Sequence, residues 1–237
     1  MKFKILFYVL IFLFISVSAK ADKIDDILKS IDKANGYSNS EKFTSVHWKG
    51  IINNMGMDLP LEFHFKKENN FRLEVDFMGQ KMIQIYDGKE GWMYNPMAGP
   101  DPIELPPDQL DNMKKQNENI MSPFANLRKD SAKVELAGNE TIDSKDCFKI
   151  LVTDKGGKTS TLFVDAKSYM PVKAVSKTAG PDGTETDQEV LFKEFKNIDG
   201  VMIPQLMETN AGGMTGSIKI ELFEVNKPID DKLFKKQ

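Results

Sequence analysis

Two neighbouring stretches decide the fold class: Leu59-Pro60-Leu61-Glu62-Phe63-His64-Phe65-Lys66 and Phe71-Arg72-Leu73-Glu74-Val75-Asp76-Phe77. In both stretches, large apolar residues occupy every second position. As a β-strand, each would therefore have one apolar, buried face and one polar, solvent-exposed face. Between them lies Lys67-Glu68-Asn69-Asn70, a polar turn whose asparagines accept the positive φ that tight hairpins need. The two stretches therefore predict an antiparallel hairpin with one buried face.

The same period extends in both directions along the chain. Upstream, Val46 and Trp48 alternate with polar neighbours, and further turns are predicted at 53–56, 87–88 and 154–157. Downstream strands are predicted at Met82–Tyr86, Gly91–Tyr94, Lys133–Ala137, Phe148–Thr153, Thr159–Asp165, Val172–Ser176, Glu189–Phe195, Ile203–Thr209 and Ser217–Asn226. Because no crossover helix separates these strands, a meander of roughly ten antiparallel strands is favoured over a parallel sheet.

Two segments depart from this pattern. Residues 22–35 carry Ile24, Ile27, Leu28 and Ile31 at helical spacing and are followed by Gly36, which predicts an amphipathic helix. Residues 96–130 are a proline-rich insertion, which we interpret as a lid; the alternative is a simple surface excursion. The expected fold is mainly β with a few helices: an incomplete antiparallel β-barrel, a curved meander wrapped over the N-terminal helix and the inserted helical lid.

The N-terminus predicts export. Lys2 and Lys4 precede an apolar run from Ile5 to Val17, and Ala19-Lys20-Ala21 has the small-x-small pattern of a cleavage site. A membrane anchor is the alternative, but a spanning helix needs about 20 apolar residues. We expect residues 1–21 to be a cleaved signal peptide and residues 22–237 to form a single periplasmic domain. No cysteine follows the apolar run, so we expect no lipid attachment, and no second long apolar stretch follows it, so we expect the domain to be soluble.

Charge and cysteine content narrow the function further. Removing residues 1–21 takes away three lysines and no acid, so the formal charge falls from −3 to −6. An acidic chain argues against nucleic acid as a partner and against electrostatic attachment to anionic membranes. Cys147 is the only cysteine and lies in a predicted strand, so we expect a buried or half-buried thiol rather than a nucleophile, and no internal disulfide.

The sequence lacks a motif that would carry catalysis. It has no serine elbow, phosphate-binding glycine loop or dinucleotide fingerprint, and its histidines, His47 and His64, have no cysteine or histidine cluster around them. We therefore expect no enzymatic activity, no metal and no cofactor. Thirteen methionines are scattered along the chain; they suit either an adaptable lipid-binding surface or ordinary core filling.

One segment resembles a known family. Residues 87–96, Asp-Gly-Lys-Glu-Gly-Trp-Met-Tyr-Asn-Pro, are similar to the D-G-K-x-x-W-x-Y-x-P stretch of LolA-like periplasmic lipoprotein carriers. Residues 165–173, 192–204 and 226–234 resemble later parts of the same LolA/LolB superfamily, in the expected order. The resemblance is that of a distant member and covers nearly the whole chain after the leader.

The resemblance implies a half-barrel whose apolar cavity shields acyl chains of lipoproteins, or other lipids, on the way to the outer membrane. It also implies an inner-membrane transporter and an outer-membrane receptor as partners, for a carrier that we expect to be a monomer. The predicted lipid-binding set combines the alternating apolar residues with the tryptophan hairpin: Val46, Trp48, Leu61, Phe63, Phe65, Phe71, Leu73, Val75, Ile83, Ile85, Trp92 and Tyr94. Lys67 falls at the family's functional arginine position, and Lys67, Phe124 and Leu127 are the predicted lid and latch residues. The alternative function is a periplasmic sensor or scaffold on the same fold, with a filled core and a protein partner.

Overall fold

The computed structural model describes residues 23–67, 69–107, 109–110, 133–154, 156–179 and 185–236. They form a helix, α1, over residues 23–35, short 3₁₀ helices at Tyr37–Lys42 and Asp231–Phe234, and one 13-stranded sheet. The strands are β1 (Ser45–Asn54), β2 (Met57–Lys66), β3 (Asn70–Phe77), β4 (Gln80–Tyr86), β5 (Gly91–Tyr94), β6 (Ile103–Glu104), β7 (Lys133–Ile142), β8 (Lys145–Thr153), β9 (Thr159–Asp165), β10 (Pro171–Ala179), β11 (Glu185–Ile198), β12 (Val201–Ala211) and β13 (Met214–Val225).

The sheet is an antiparallel meander that is joined through its first and last strands. Its order is β6-β5-β4-β3-β2-β1-β13-β12-β11-β10-β9-β8-β7, so β1 pairs with β13 in the middle, and β6 and β7 are the two edges. The edges are not paired with each other, so the sheet does not close. The predicted incomplete barrel with few helices is confirmed, although the short strand β6 was not predicted because it lies inside the proline-rich insertion.

One face of the sheet, here called the inner face, carries the main hydrophobic core. Directly opposed residues of antiparallel strands point to the same side, and the register aligns Trp48 with Phe63 and Phe63 with Leu73. Ile24, Ile27 and Ile31 of α1 belong to the same core cluster. The helix therefore covers the inner face, as its apolar spacing predicts.

The C-terminal end of α1 is fixed at one end of the sheet, here called the closed end. Asn35 is fully buried, and its Nδ2 donates to the carbonyl of Tyr169, 2.8 Å away in the β9–β10 turn. Gly36 follows at φ +66°, and a Cβ there would lie 1.9 Å from the carbonyl oxygen of Gly200 in the β11–β12 turn. Only glycine permits this combination of backbone angle and close approach.

We expect Gly36→Ala to lower the free energy of unfolding by about 3 kcal/mol or more, because the left-handed backbone and the steric overlap both oppose it. Gly56→Ala is the matched control: Gly56 has φ +83° but open space where a Cβ would be, so only the backbone cost of about 1 kcal/mol applies. Urea denaturation of both variants measures the difference. Equal losses would show that the contact with Gly200 does not matter.

The opposite, outer face carries a smaller apolar cluster around Cys147. This thiol is fully buried and packs with Phe163 and Val172, which confirms the expectation of a buried cysteine. Burial, reinforced by the negative charge of Asp165, raises the pKa of the Cys147 thiol. A buried thiol with a raised pKa is unreactive, because the thiolate is the nucleophile.

We expect the native protein to resist a disulfide-exchange reagent at pH 8 for as long as it stays folded, and to react with one equivalent in denaturant. The labelling rate should fall at least 100-fold between the unfolded and the native chain. Fast labelling of the native chain would contradict the observed packing around Cys147.

The beginning of the predicted lid insertion packs into the core. Leu105 and Leu110 are buried in the main cluster, and a Cβ on Gly91 would lie 2.3 Å from the Cδ2 atom of Leu110. Residues 111–130, with Phe124 and Leu127, lie outside the described residues, as does the predicted signal peptide 1–21. Within the described part of the chain, no helix has the length and hydropathy needed to cross a membrane.

Candidate lipid-binding face

The fully buried residues of the inner face lie toward its closed end, and toward the opposite end the apolar residues of this face are only half-buried. Val46, Phe63 and Phe71, near the closed end, are at most 2% exposed and belong to the same core cluster as the isoleucines of α1. Farther along the strands, apolar side chains of the same face pack against the core but are only partly buried; these are Ile52, Val75, Val152, Met207 and Ile218. Phe65 and Val225 near the closed end are half-buried too, so the open half of the face is distinguished by apolar residues none of which is fully buried.

Exposed methionines lie at that same end, here called the open end. Met55 is in the β1–β2 turn, Met78 in the β3–β4 turn, Met97 after β5 and Met214 at the start of β13, and they are 76%, 83%, 61% and 57% exposed. The registers bring these turns together: β3 ends beside the start of β2, and Asn54 pairs with Gly216. These four residues are called the methionine rim below.

Two of the rim methionines adopt an unusual backbone conformation. Met55 has φ 52° before Gly56, and Met78 has φ 55° before Gly79. Two-residue hairpin turns of this type normally place asparagine, aspartate or glycine at the first position. Methionine there costs backbone energy and exposes an apolar side chain, which points to a role for the side chain rather than for the turn.

The predicted lipid-binding residues separate into two groups. Val46, Trp48, Leu61, Phe63, Phe65, Phe71, Leu73 and Val75 share the inner face, as the registers of β1 to β3 require. Ile83, Ile85, Trp92 and Tyr94 do not: Ile85 is opposite Arg72 and Trp92, and Ile83 is opposite Glu74 and Tyr94, so all four lie on the outer face.

The residue pattern of β4 explains why Ile83 and Ile85 were predicted to share the inner face. The inner-face positions of β4 are Met82, Gln84 and Tyr86, which oppose Val75, Leu73 and Phe71. In β4 the outer-face positions are as apolar as the inner ones, and a one-residue shift of register moves every side chain to the other face. The pairing of β3 with β4 therefore places Ile83 and Ile85 on the face opposite the rest of the predicted set. Ile52, Met207 and Ile218, which the sequence did not single out, lie on the inner face and are half-buried.

Trp48 brings a buried polar atom to the inner face. Its side chain is 5% exposed, and its Nε1 has no hydrogen-bond partner among the described residues. A buried indole N–H usually finds an acceptor. It could therefore donate to a carbonyl of a bound ligand.

Lys67, the predicted latch, lies at the closed end. Its Nζ donates to the carbonyl of Glu41, 3.2 Å away in the first 3₁₀ helix. Together with Lys66, Asp87 and Lys235 it also lines a polar pocket of about 460 Å³ beside the C-terminal 3₁₀ helix. In the described structure Lys67 thus contacts the N-terminal segment; its predicted lid partners lie outside the described residues.

The outer face of β1, β2 and β3 carries a polar cluster. Arg72 is buried, with its Nε 2.6 Å from Glu74 Oε1 and its Nη1 donating to the carbonyl of Leu233. Burial raises the pKa of Glu74, but hydrogen bonds from Lys81 and Arg72 outweigh it and lower the pKa below its usual value. Beside this pair, the register places His47 directly opposite His64, a juxtaposition that the separate strands did not reveal in the sequence.

Comparisons with known proteins agree on the fold. The family model described as "Uncharacterized protein" matches residues 70–237, so the chain belongs to that family. No curated protein matches the chain in sequence.

Solved structures of the same fold include three from different bacteria. A LolA superfamily protein from Nitrosomonas europaea is 17% identical over 90% of this chain and 97% of its own, with a TM-score of 0.56. A DUF1329 family protein from Desulfovibrio piger is 16% identical over 87% and 96%, with a TM-score of 0.58. A domain from Vibrio parahaemolyticus assigned to outer membrane lipoprotein sorting is 11% identical over 88% and 97%, with a TM-score of 0.55. The chain therefore has the LolA-like fold, as the resemblance of its tryptophan hairpin predicts.

Proposed function

We propose that the protein is a non-enzymatic periplasmic carrier that binds acyl chains of lipoproteins, or other lipids, and moves them toward the outer membrane. The observation that carries this proposal is the burial along the inner face: its fully buried residues, such as Val46 and Phe63, lie toward the closed end, whereas Ile52 and Met207 toward the methionine rim are only half-buried. The fold shared with a LolA superfamily protein supports the same class of function.

The chemistry of the inner face selects an apolar ligand. Apart from Trp48 Nε1, its apolar residues offer no directional contact, so affinity would come from the burial of methylenes at about 0.8 kcal/mol each. An ester or amide carbonyl at the head of an acyl chain would accept from Trp48 Nε1. The proposed binding set is therefore the inner-face group of eight together with Ile52, Met207 and Ile218.

The methionine rim fits the entry point of such a ligand. Thioether side chains are unbranched and polarizable, so they adapt to chains of different length and saturation. The rim lies along the part of the open end that β1 to β5 and β13 form, beside the half-buried residues Ile52 and Ile218. Entry past the rim would bring an acyl chain first to the half-buried residues Ile52, Met207 and Ile218. The insertion 96–130 would act as the lid, with Lys67 as its latch.

Three steps would place the carrier in the cell: export, loading with cargo and delivery of that cargo. Export by cleavage after residue 21 would place a soluble, monomeric carrier in the periplasm. An inner-membrane transporter would load it, and an outer-membrane receptor would accept its cargo. Removal of residues 1–21 from the periplasmic protein, read by intact mass, tests the first of these steps.

Native mass spectrometry of protein purified from the periplasm, followed by lipid extraction, tests the function itself. We expect co-purifying adducts whose extracted components carry acyl chains, and we expect delipidated protein to rebind them. A ligand-free mass, together with no binding of added lysophospholipid or fatty acid, would overturn the carrier proposal and favour a sensor or scaffold on this fold.

A further inference from the structure

A cluster on the outer face of β1 and β2 brings together three side chains that metals prefer. His47 on β1 is directly opposite His64 on β2, and Glu62 precedes His64 by two positions, so all three project from one side of the sheet. Each is partly buried, with side-chain exposures of 19%, 12% and 29% for His47, His64 and Glu62. Two of the candidate ligands therefore come from β2 and the third comes from β1.

The distances suit a small divalent cation. Glu62 Oε1 lies 2.8 Å from His47 Nε2 and 3.5 Å from His64 Nε2, and one ligand atom from each residue lies within 4.8 Å of the other two. A tetrahedral zinc ion with bonds of about 2.0–2.2 Å separates its ligand atoms by about 3.3 Å. Two histidines and one glutamate form a ligand set that zinc uses where a fourth position stays open.

A neighbouring carboxylate would orient His47 toward a bound cation. Glu224 Oε2 lies 3.4 Å from His47 Nδ1, on the side of the ring away from Glu62. With a cation on Nε2, the proton of His47 would move to Nδ1 and be donated to Glu224, a carboxylate partner typical of metal-bound histidines.

Two features of the cluster oppose cation binding, and a side chain must move before a cation can bind. Lys49 Nζ lies 3.1 Å from Glu62 Oε1 and competes for that carboxylate. The two imidazoles are stacked with centroids 4.4 Å apart and planes 8° apart, so their in-plane lone pairs run side by side. A cation therefore requires one ring to tilt, which a partly exposed side chain on a sheet surface allows.

We propose that His47, His64 and Glu62 form a zinc-class divalent cation site on the outer face, with its fourth position open to solvent. The site lies on the opposite side of the sheet from the proposed lipid-binding face. Its existence is therefore independent of whether lipid binds.

The test uses Co²⁺ as a spectroscopic probe and Zn²⁺ as its competitor, on the full protein without a histidine tag. We expect one equivalent of Co²⁺ to give the strong visible bands of four-coordinate cobalt, and one equivalent of Zn²⁺ to abolish them. Glu62→Gln, which keeps the side-chain shape, and His64→Asn should each weaken binding at least 10-fold. Glu224→Gln should weaken it about 10-fold, the effect of losing a carboxylate behind a metal-bound histidine.

Two further variants separate a built site from incidental binding. Lys49→Met removes the competing ammonium and should tighten binding several-fold, an effect that a merely structural role of the cluster does not predict. Glu208→Gln removes a carboxylate that pairs with Lys193 elsewhere on the sheet and should change nothing. Absence of the cobalt bands in the parent protein, or equal affinity in the parent and both ligand variants, would overturn the proposal.

Discussion

Ile52→Glu is expected to weaken binding of a fluorescent fatty acid at least 30-fold, whereas Ile51→Glu is expected to change it less than 3-fold. The two isoleucines are consecutive residues of β1 and both are half-buried, but they point to opposite faces. Ile52 is opposite Leu59 and Ile218 on the inner face, while Ile51 is opposite Lys219 and Pro60 on the outer face.

The physical reason is the desolvation of a carboxylate. Glutamate at position 52 would lie against the acyl chain without a partner, at a cost of about 2 kcal/mol or more, which corresponds to a factor of about 30 in affinity. Glutamate at position 51 keeps its water and faces Lys219 across the strand pair. Displacement titrations with a series of chain lengths measure both effects.

The paired design separates binding from folding. Thermal unfolding without lipid should show similar transitions for the two variants, because both sites are half-buried on the same strand. Equal loss of binding in both variants would place the lipid elsewhere, and full binding by Ile52→Glu would remove the inner face from the proposed site.

Replacement of the methionine rim is expected to slow lipid transfer without reducing affinity. In a variant with Met55, Met78, Met97 and Met214 changed to glutamine, the rate of uptake from vesicles should fall at least 10-fold. Equilibrium affinity should stay within 3-fold and unfolding should be unchanged, because these side chains are exposed and lie outside the core. Glutamine preserves length and removes the apolar character that lets the rim contact hydrocarbon.

Leu222→Gln is the control for this experiment. Leu222 is also an exposed apolar residue, at 37%, but it lies on the outer face, opposite Lys49, and its replacement should leave transfer unchanged. Transfer at the parent rate in the rim variant would show that lipid enters by another route. A parallel loss of affinity would instead make the methionines part of the binding surface.

Several features followed from the sequence because they depend on local periodicity. Apolar residues at alternate positions from Leu59 to Phe77 can bury one face only as strands, and the absence of crossover helices restricts them to an antiparallel meander. The helical spacing of Ile24, Ile27 and Ile31 identified the helix that covers this face. The burial of Cys147 followed from its apolar strand.

The tertiary structure decided what depends on register between strands. Which face Ile83 and Ile85 occupy is set by the pairing of β3 with β4, since the apolar pattern of β4 is the same on both faces. The meeting of His47 with Glu62 and His64 is set by the pairing of β1 with β2. Neither pairing can be read from a single strand, because a shift of one residue exchanges the two faces at no cost to local propensity.

The sequence alone determined that this chain forms an open antiparallel sheet with a helix against its main apolar face. Only the tertiary structure decided where that face stays half-buried and that the exposed methionines gather at its open end. The physical reason is that burial depends on the sum of contacts made by distant segments, such as Asn35 at the end of α1 against Tyr169, whereas periodicity reports only which side of its own strand a residue occupies.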